Sequence, residues 1–168
     1  MSEQTNHEDD VKKLAQMVKG IDFGMLTTLD ADGRLYSRPM AHNGNVEFDG
    51  DVWFFTYANS HKVHEIETRP QVNVSFASPQ DQSYVSLAGR AELVRDKAKM
   101  QQLWDPSLRA WFPDGLDTPE IALLKINVEK AQYWDAPSSP VAHAVGLVKS
   151  LVTGQPGTVG DNQKVDLE

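Results

Sequence analysis

The chain has no cysteine. Disulfides, thiolate metal sites and a cysteine nucleophile are therefore excluded, and a cytoplasmic setting is expected. No apolar run approaches the roughly 20 residues that span a bilayer, so no membrane partner is expected. The opening MSEQTNHEDD lacks the basic and apolar regions of a secretory signal. Basic residues are also scarce: 16 Lys and Arg stand against 24 Asp and Glu, a formal net charge of −8. A nucleic-acid surface is normally basic, so no nucleic-acid partner is expected. Neither G-x-G-x-x-G nor G-x-S-x-G occurs, and there is no internal repeat or heptad pattern.

What is present is enough for one domain. A chain of 168 residues buries roughly two-thirds of its unfolded surface, and 40% hydrophobic residues is ordinary for a soluble globule. The central stretch is VWFFTYANSHKVHEI, residues 52–66. Val52 to Tyr57 are β-branched or aromatic and predict a strand. Asn59 and Ser60 end it, with Ser60 placed as a helix N-cap. A short helix follows from His61 to Thr68, with Val63 and Ile66 on its inner face, and Arg69-Pro70 stops it.

The charge at the start of that helix carries information. A helix N-terminus has free N–H groups and partial positive charge, so it favours anions. Here Lys62 stands in the first turn beside His61, with no acid before Glu65. A solvated surface lysine is the plain account of Lys62 alone. Strand, cap and lysine together point to a phosphate held by Ser60, Lys62 and the first N–H groups.

The remaining chain reads as strands with peripheral helices. Asp9–Lys19 is an amphipathic helix with Val11, Leu14, Ala15 and Val18 on one stripe. Phe23–Leu29 and Arg34–His42 form a hairpin around Asp30-Ala31-Asp32-Gly33. Gln71–Ala77 alternates as a half-buried strand. Ser83–Arg95 is a long strand in which Gly89 marks a bulge or bend. Asp96–Trp104 and Pro106–Phe112 are helical, Ile121–Val128 and Ala131–Asp135 are two further strands, and 141–151 is a helical candidate. These elements predict a mainly β fold, an antiparallel six- to seven-stranded barrel with peripheral α-helices. Residues 1–152 form the single domain, and the glycine-rich polar segment 153–168 is expected as a flexible tail.

A second signal is Arg38-Pro39-Met40. Proline inside a strand removes a ladder donor, so it marks an edge, a bulge, or backbone that pairs with something else. Backbone groups freed there could face a planar heteroaromatic ring, with Arg38 adding a charge-assisted contact. An edge strand with a surface arginine explains the same residues. His61 and His64 stand three apart on the helix, but no third metal ligand is placed to join them, so no metal is expected.

Four motifs in order carry a resemblance that spans Gly24 to Pro137: GMLTTLDADGRLYSRPM, VWFFTYANSHKVHEIETRPQVNVSFASP, YVSLAGRAELV and LWDPSLRAWFPDGLDTPEIALLKINVEKAQYWDAP. Together they resemble the general stress protein branch of the pyridoxamine 5′-phosphate oxidase-like family. The resemblance implies a split β-barrel that binds FMN at a homodimer interface. By motif, Arg38, Pro39 and Met40 would line the isoalloxazine, with Phe55 and Thr56 also on the flavin. Ser60, His61 and Lys62 match the family's S-R-K phosphate turn, His61 replacing the arginine. Trp134 matches the tryptophan of an F-W motif. Tyr84 stands where the oxidases carry a flavin-contacting glutamine. After Trp134 the chain reads DAPSSPVAH, without the oxidases' R-L-H-D-R substrate segment. The expectation is an FMN protein with a stress-related or redox role and no pyridoxamine phosphate oxidase activity. The alternatives are a non-catalytic flavin carrier or sensor, or an oxidoreductase using a deazaflavin or haem on the same barrel.

Overall fold

A computed structural model describes residues 2–44, 46–136 and 161–167. Helix α1 covers Ser2–Val18 and is followed by the hairpin of β1, Phe23–Leu29, and β2, Leu35–Ala41. The hairpin turn is built by Asp30, whose carboxylate accepts from the N–H groups of Asp32 and Arg34, while Gly33 takes a φ of 78°. That left-handed conformation suits glycine. Strand β3, Asp51–Tyr57, leads into α2, His61–Thr68, as its residue types predict. Then come β4, Gln71–Ser78; β5, Ser83–Val94; α3, Lys97–Leu103; 3-10 turns at Pro106–Ala110 and Gly115–Asp117; β6, Ile121–Asp135; and β7, Asp161–Asp166.

The seven strands form one open antiparallel sheet in the order β2-β1-β4-β5-β6-β3, with β7 also paired to β6. Strand β6 organises it. β5 runs along one side of β6, while β3 and β7 share the other side, β3 against the first half and β7 against the second. The end strands still share one core: Met40 of β2 and Val52 and Phe54 of β3 belong to the same buried cluster, together with Leu14 and Val18 of α1.

Strand β3 is buried on both faces. Successive side chains of a strand point to opposite sides. Phe54 joins that main cluster, and its neighbour Phe55 joins a second one with Met100, Leu103, Leu108, Phe112 and Leu123. The unbroken run of large residues from Val52 to Tyr57 follows from this double burial.

Three expectations change. Ile121–Val128 and Ala131–Asp135 are one strand. The register shifts between Ala88 opposite Lys130 and Gly89 opposite Val128, so Glu129 is an extra residue bulged out of β6. The irregularity expected at Gly89 exists, but the added residue is on its partner. A Cβ at Gly89 would collide with the Asn127 carbonyl, so only glycine allows the two strands to approach. Second, Asp161–Asp166, expected within a flexible tail, pairs with β6 from Lys130 to Asp135. Third, the Ser60 side chain makes no capping hydrogen bond to α2. The helical candidate at 141–151 lies outside the described residues. Among those residues no helix is long and apolar enough to cross a membrane.

One half-buried group gives the fold a pH dependence. His42 packs edge-on against Phe54 and Phe76, with ring centroids 5.8 and 5.4 Å away. Its Nδ1 lies 3.3 Å from the Ile21 carbonyl, which can only accept, so Nδ1 carries the proton of the neutral ring. Burial lowers its pKa below 6.5, against smaller upward pulls from the Ile21 carbonyl and Asp22. The unfolded chain therefore binds a proton that the fold resists. Stability should fall as the pH drops below about 6.5 and should not change on this account above it. Denaturant unfolding of wild type and His42→Gln at pH 7 and pH 5 checks this: the acid-dependent loss should be smaller in the variant.

Candidate functional site

The first turn of α2 and the middle of β2 come together over β1. Arg38 donates from Nη1 to the Thr28 hydroxyl at 2.6 Å and pairs through Nη2 with Glu65 Oε2 at 3.1 Å. Thr28 in turn donates to the same Glu65 oxygen at 2.6 Å. The pair is removed from water: the Arg38 and Glu65 side chains are 17% and 7% exposed. Arg38 also lies over the Tyr36 ring, 5.1 Å from its centroid. Three elements thus meet at one carboxylate oxygen.

Lys62 is the neighbouring cation. It is half-buried, and among the described residues no carboxylate lies within ion-pair distance of its ammonium. Burial lowers its pKa from the ordinary lysine value, and Arg38 beside it lowers it further, while Glu65 pulls the other way. The N–H groups of His61 and Lys62 lie in the first turn, where a helix supplies no acceptor. No acidic side chain stands in that turn. Ser60 closes the group, its hydroxyl 3.5 Å from that of the buried Thr56. An anion here would relieve the Lys62 desolvation and meet the helix dipole with the right sign. The donor set of ammonium, hydroxyl and amide N–H groups fits a phosphate.

The other expected site residues are placed as follows. Pro39 is exposed on β2, an end strand of the sheet, which is the edge position that proline tolerates. Met40 and Phe55 have buried side chains, in the main and second clusters respectively. His61 is 90% exposed, 3.9 Å from Glu65 Oε1. His64 faces Glu67 at 3.6 Å, and no group of three potential metal ligands converges among the described residues.

Trp134 is not brought to the others. Thr56 pairs with Ala122 at the start of β6, whereas Trp134 lies twelve residues further along the strand, opposite Tyr84. At about 3.3 Å per residue that is on the order of 40 Å along β6. Trp134 is 39% exposed, beside an exposed Tyr84 on the outer face of the sheet.

Sequence reasoning missed Thr28 and Glu65. Their signal was a polar residue at an inward position: Thr28 alternates with Leu26 on β1, and Glu65 adjoins Ile66 on the inner side of α2. A buried polar group demands a partner, but its identity depends on which strands lie side by side.

Comparison with known proteins agrees with this architecture. The sequence model described as "Pyridoxamine 5′-phosphate oxidase like" matches residues 9–157. The chain belongs to the pyridoxamine 5′-phosphate oxidase-like family. It is 27% identical to general stress protein 26 of Bacillus subtilis over 136 residues, covering 78% of this chain and 92% of that one. A solved structure of the general stress protein 26 type from Jannaschia sp. superposes with a TM-score of 0.74 at 20% identity, covering 95% of this chain and 99% of that chain. That likeness establishes the split-barrel fold. The general stress FMN/FAD binding protein of Xanthomonas citri is 29% identical, with a TM-score of 0.65 and coverage of 79% and 92%.

In this family member the Arg38 ion pair is also structural. Removing one partner of a buried pair leaves an uncompensated charge, at a cost of about 3 kcal/mol or more. Arg38→Ala should therefore lower the stability of the ligand-free protein by roughly that amount, read as a fall in the denaturant midpoint. A surface arginine would change it by about 0.5 kcal/mol or less.

Proposed function

We propose that this protein binds FMN as a homodimer, with each flavin between the protomers, and serves a stress-related redox role. One observation carries the reading: among the described residues Lys62 stands half-buried at the start of α2 without an ion-pair partner, while the adjacent cation, Arg38, is already committed to Glu65. A phosphate supplies the missing negative charge. The general stress FMN/FAD binding protein of Xanthomonas citri, a neighbour in structure, supports a flavin as the group that bears it. A terminal phosphate meets the Ser60–Lys62 turn most simply, and this favours FMN.

Bound flavin would supply redox chemistry, as a cofactor does on many folds. This chain's part is to hold it. Ser60, Lys62 and the first N–H groups of α2 would take the phosphate, and β2 around Arg38, Pro39 and Met40 would meet the ring with Thr56 nearby. The buried side chains of Met40 and Phe55 leave those two positions to act through backbone groups. Pyridoxamine phosphate oxidation is not part of this reading, because DAPSSPVAH follows Trp134 in place of the oxidases' substrate segment. A cytoplasmic location belongs to the same reading, on the absence of cysteine.

The distance along β6 supports the dimer: with Trp134 so far along the strand from Thr56, in this reading it serves the site of the partner subunit. C2 pairing is the commonest closed assembly.

Titration of FMN and riboflavin into wild type and Lys62→Ala tests the phosphate site. Charge-assisted hydrogen bonds contribute about 1.5–3 kcal/mol. The variant should lose FMN affinity about 10- to 150-fold and keep its riboflavin affinity. An equal loss for both ligands would move Lys62 from the phosphate to the ring or the fold.

Mixing subunits tests the dimer. Lys62→Ala and Trp134→Ala homodimers should each bind FMN weakly. Their mixed dimer should regain one site of wild-type affinity, because one of its two sites then contains both native residues. A monomer mass by light scattering with and without FMN, or no recovery on mixing, would contradict the shared site.

A further inference from the structure

The outer face of the sheet carries a feature that the anion site at α2 does not use. Side chains alternate across a strand, so Tyr84, Ser86 and Ala88 of β5 share this face with Trp134, Gln132 and Lys130 opposite them on β6. The register of β7 adds Asn162 beside Trp134, Lys164 beside Gln132 and Asp166 beside Lys130. Gln132 donates to Asn162 at 3.0 Å across the two strands, while Val165 of β7 turns inward to the main core.

Ser86 and Ala88 are short where their neighbours on β6 and β7 are long. Beside them lies an open cavity of about 420 Å³, lined by Ser86, Ala88, Lys130, Gln132, Lys164 and Asp166. Small-molecule sites begin at roughly 300 Å³. The two lysines are not equivalent. Lys130 stands 3.9 Å from Asp166, whereas among the described residues no carboxylate lies within ion-pair distance of Lys164. Ser86 accepts from the Asn73 amide at 2.9 Å, which leaves its own hydroxyl proton to donate. An ammonium and a hydroxyl above short side chains suit an anionic group. The exposed rings of Tyr84 and Trp134, two residues or about 7 Å along the strands, suit a flat body.

Lysine on an edge strand also has a plain account, because charge there discourages pairing with another sheet. That accounts for Lys164 on β7. It does not account for the short residues of β5, which lies inside the sheet, or for the cavity beside them. In sequence β7 comes after Trp134, on the side where this chain lacks the oxidases' substrate segment. In space it returns to Trp134 and Gln132.

We propose that this cavity is the substrate subsite of the flavin site, and that it takes a small flat molecule bearing one carboxylate or phosphate group. Lys164 holds the anionic group, with Lys130 and Ser86 beside it, and the flat body lies toward Trp134. This rests on the flavin reading above, in which Trp134 serves the flavin of the partner subunit. It adds a substrate class and gives β7 the part of recognising it.

The test titrates FMN-loaded protein in a calorimeter with 4-nitrobenzoate and 4-nitrobenzamide, flat probes of nearly equal shape that differ by one negative charge. Wild type should bind the carboxylate about tenfold more tightly, the contribution of one charge-assisted hydrogen bond. The carboxylate should also perturb the visible absorption of the flavin, as a neighbour of its ring does. Lys164→Gln should lose most of the preference while amide affinity and denaturant midpoint stay unchanged. Lys164→Arg should keep it, and Lys130→Gln should lower it less, because Asp166 already shares that lysine. Equal affinity of wild type for the two probes, or a preference that survives Lys164→Gln, would leave the lysines as guards of an edge and overturn the proposal. A preference with no change in the flavin spectrum would put the cavity away from the flavin and overturn the substrate assignment. Protein that takes up no FMN sinks the flavin reading itself, whereas FMN uptake without a charge preference sinks this inference alone.

Discussion

A guanidinium and a carboxylate withdrawn from water repay the loss only if their geometry is good and their remaining lone pairs and protons are met. Arg38 and Glu65 meet that condition through Thr28, which accepts from one and donates to the other. The consequence is structural as well as electrostatic. Glu65 lies on α2, Thr28 on β1 and Arg38 on β2, so one small network ties the helix to the hairpin. Any change in the pitch of α2 would break at least one of these bonds, and the first turn of α2 is where the phosphate-type donors are displayed. The position of the first turn of α2, and with it the proposed anion site, is therefore tied to this pair.

The second constraint is the length of β6. Fifteen residues allow it to bind β5 along its whole length and to serve both β3 and β7 on its other side. Along it the sheet is irregular at Gly89, where the strands approach too closely for any Cβ and Glu129 bulges out. Such bulges increase twist and bend. The same length separates the two ends of the strand so far that Thr56 and Trp134 occupy different regions of the surface. A single chain thus presents Lys62 and the start of α2 in one region and, at a distance, the exposed side chains of Tyr84 and Trp134. In the reading proposed above, a two-fold assembly brings these two regions together.

Much of this was legible in the residues. Phe23–Leu29 and His61–Thr68 were placed to the residue, because hydrophobic period, cap and proline agree there. The resemblance carried by four ordered motifs led to the right family, and the open split-barrel sheet follows it. What was illegible depended on pairing across the sheet. No local signal at Glu129 announces a bulge, because the cause is its neighbour Gly89 across the strand gap. Nor does DNQKVD look like a strand: it lacks β-branched and aromatic residues apart from Val165, and it exists because β6 has an unpaired half to offer. Thr28 and Glu65 each looked like ordinary polar residues, and only the packing of α2 on the β1–β2 hairpin shows that they converge on Arg38. Arg38 itself was read as free to make a contact. Its partner lies 27 positions away in sequence, out of reach of any local rule.

The overall charge makes this local arrangement matter. At a formal −8 the molecule as a whole repels an anion. That field is screened within about 8 Å at physiological ionic strength, so a bound anion feels mainly its immediate surroundings. Those consist of Lys62, the partial charge of a helix N-terminus worth about half an elementary charge, and a neutralised Arg38–Glu65 pair. A site with both cations free would bind phosphate more strongly but would accept any phosphate, since charge alone discriminates poorly. Committing Arg38 to Glu65 lowers the local positive charge toward that of Lys62 and the helix terminus. The buried pair links α2 to β2 and so holds Lys62 beside the hairpin.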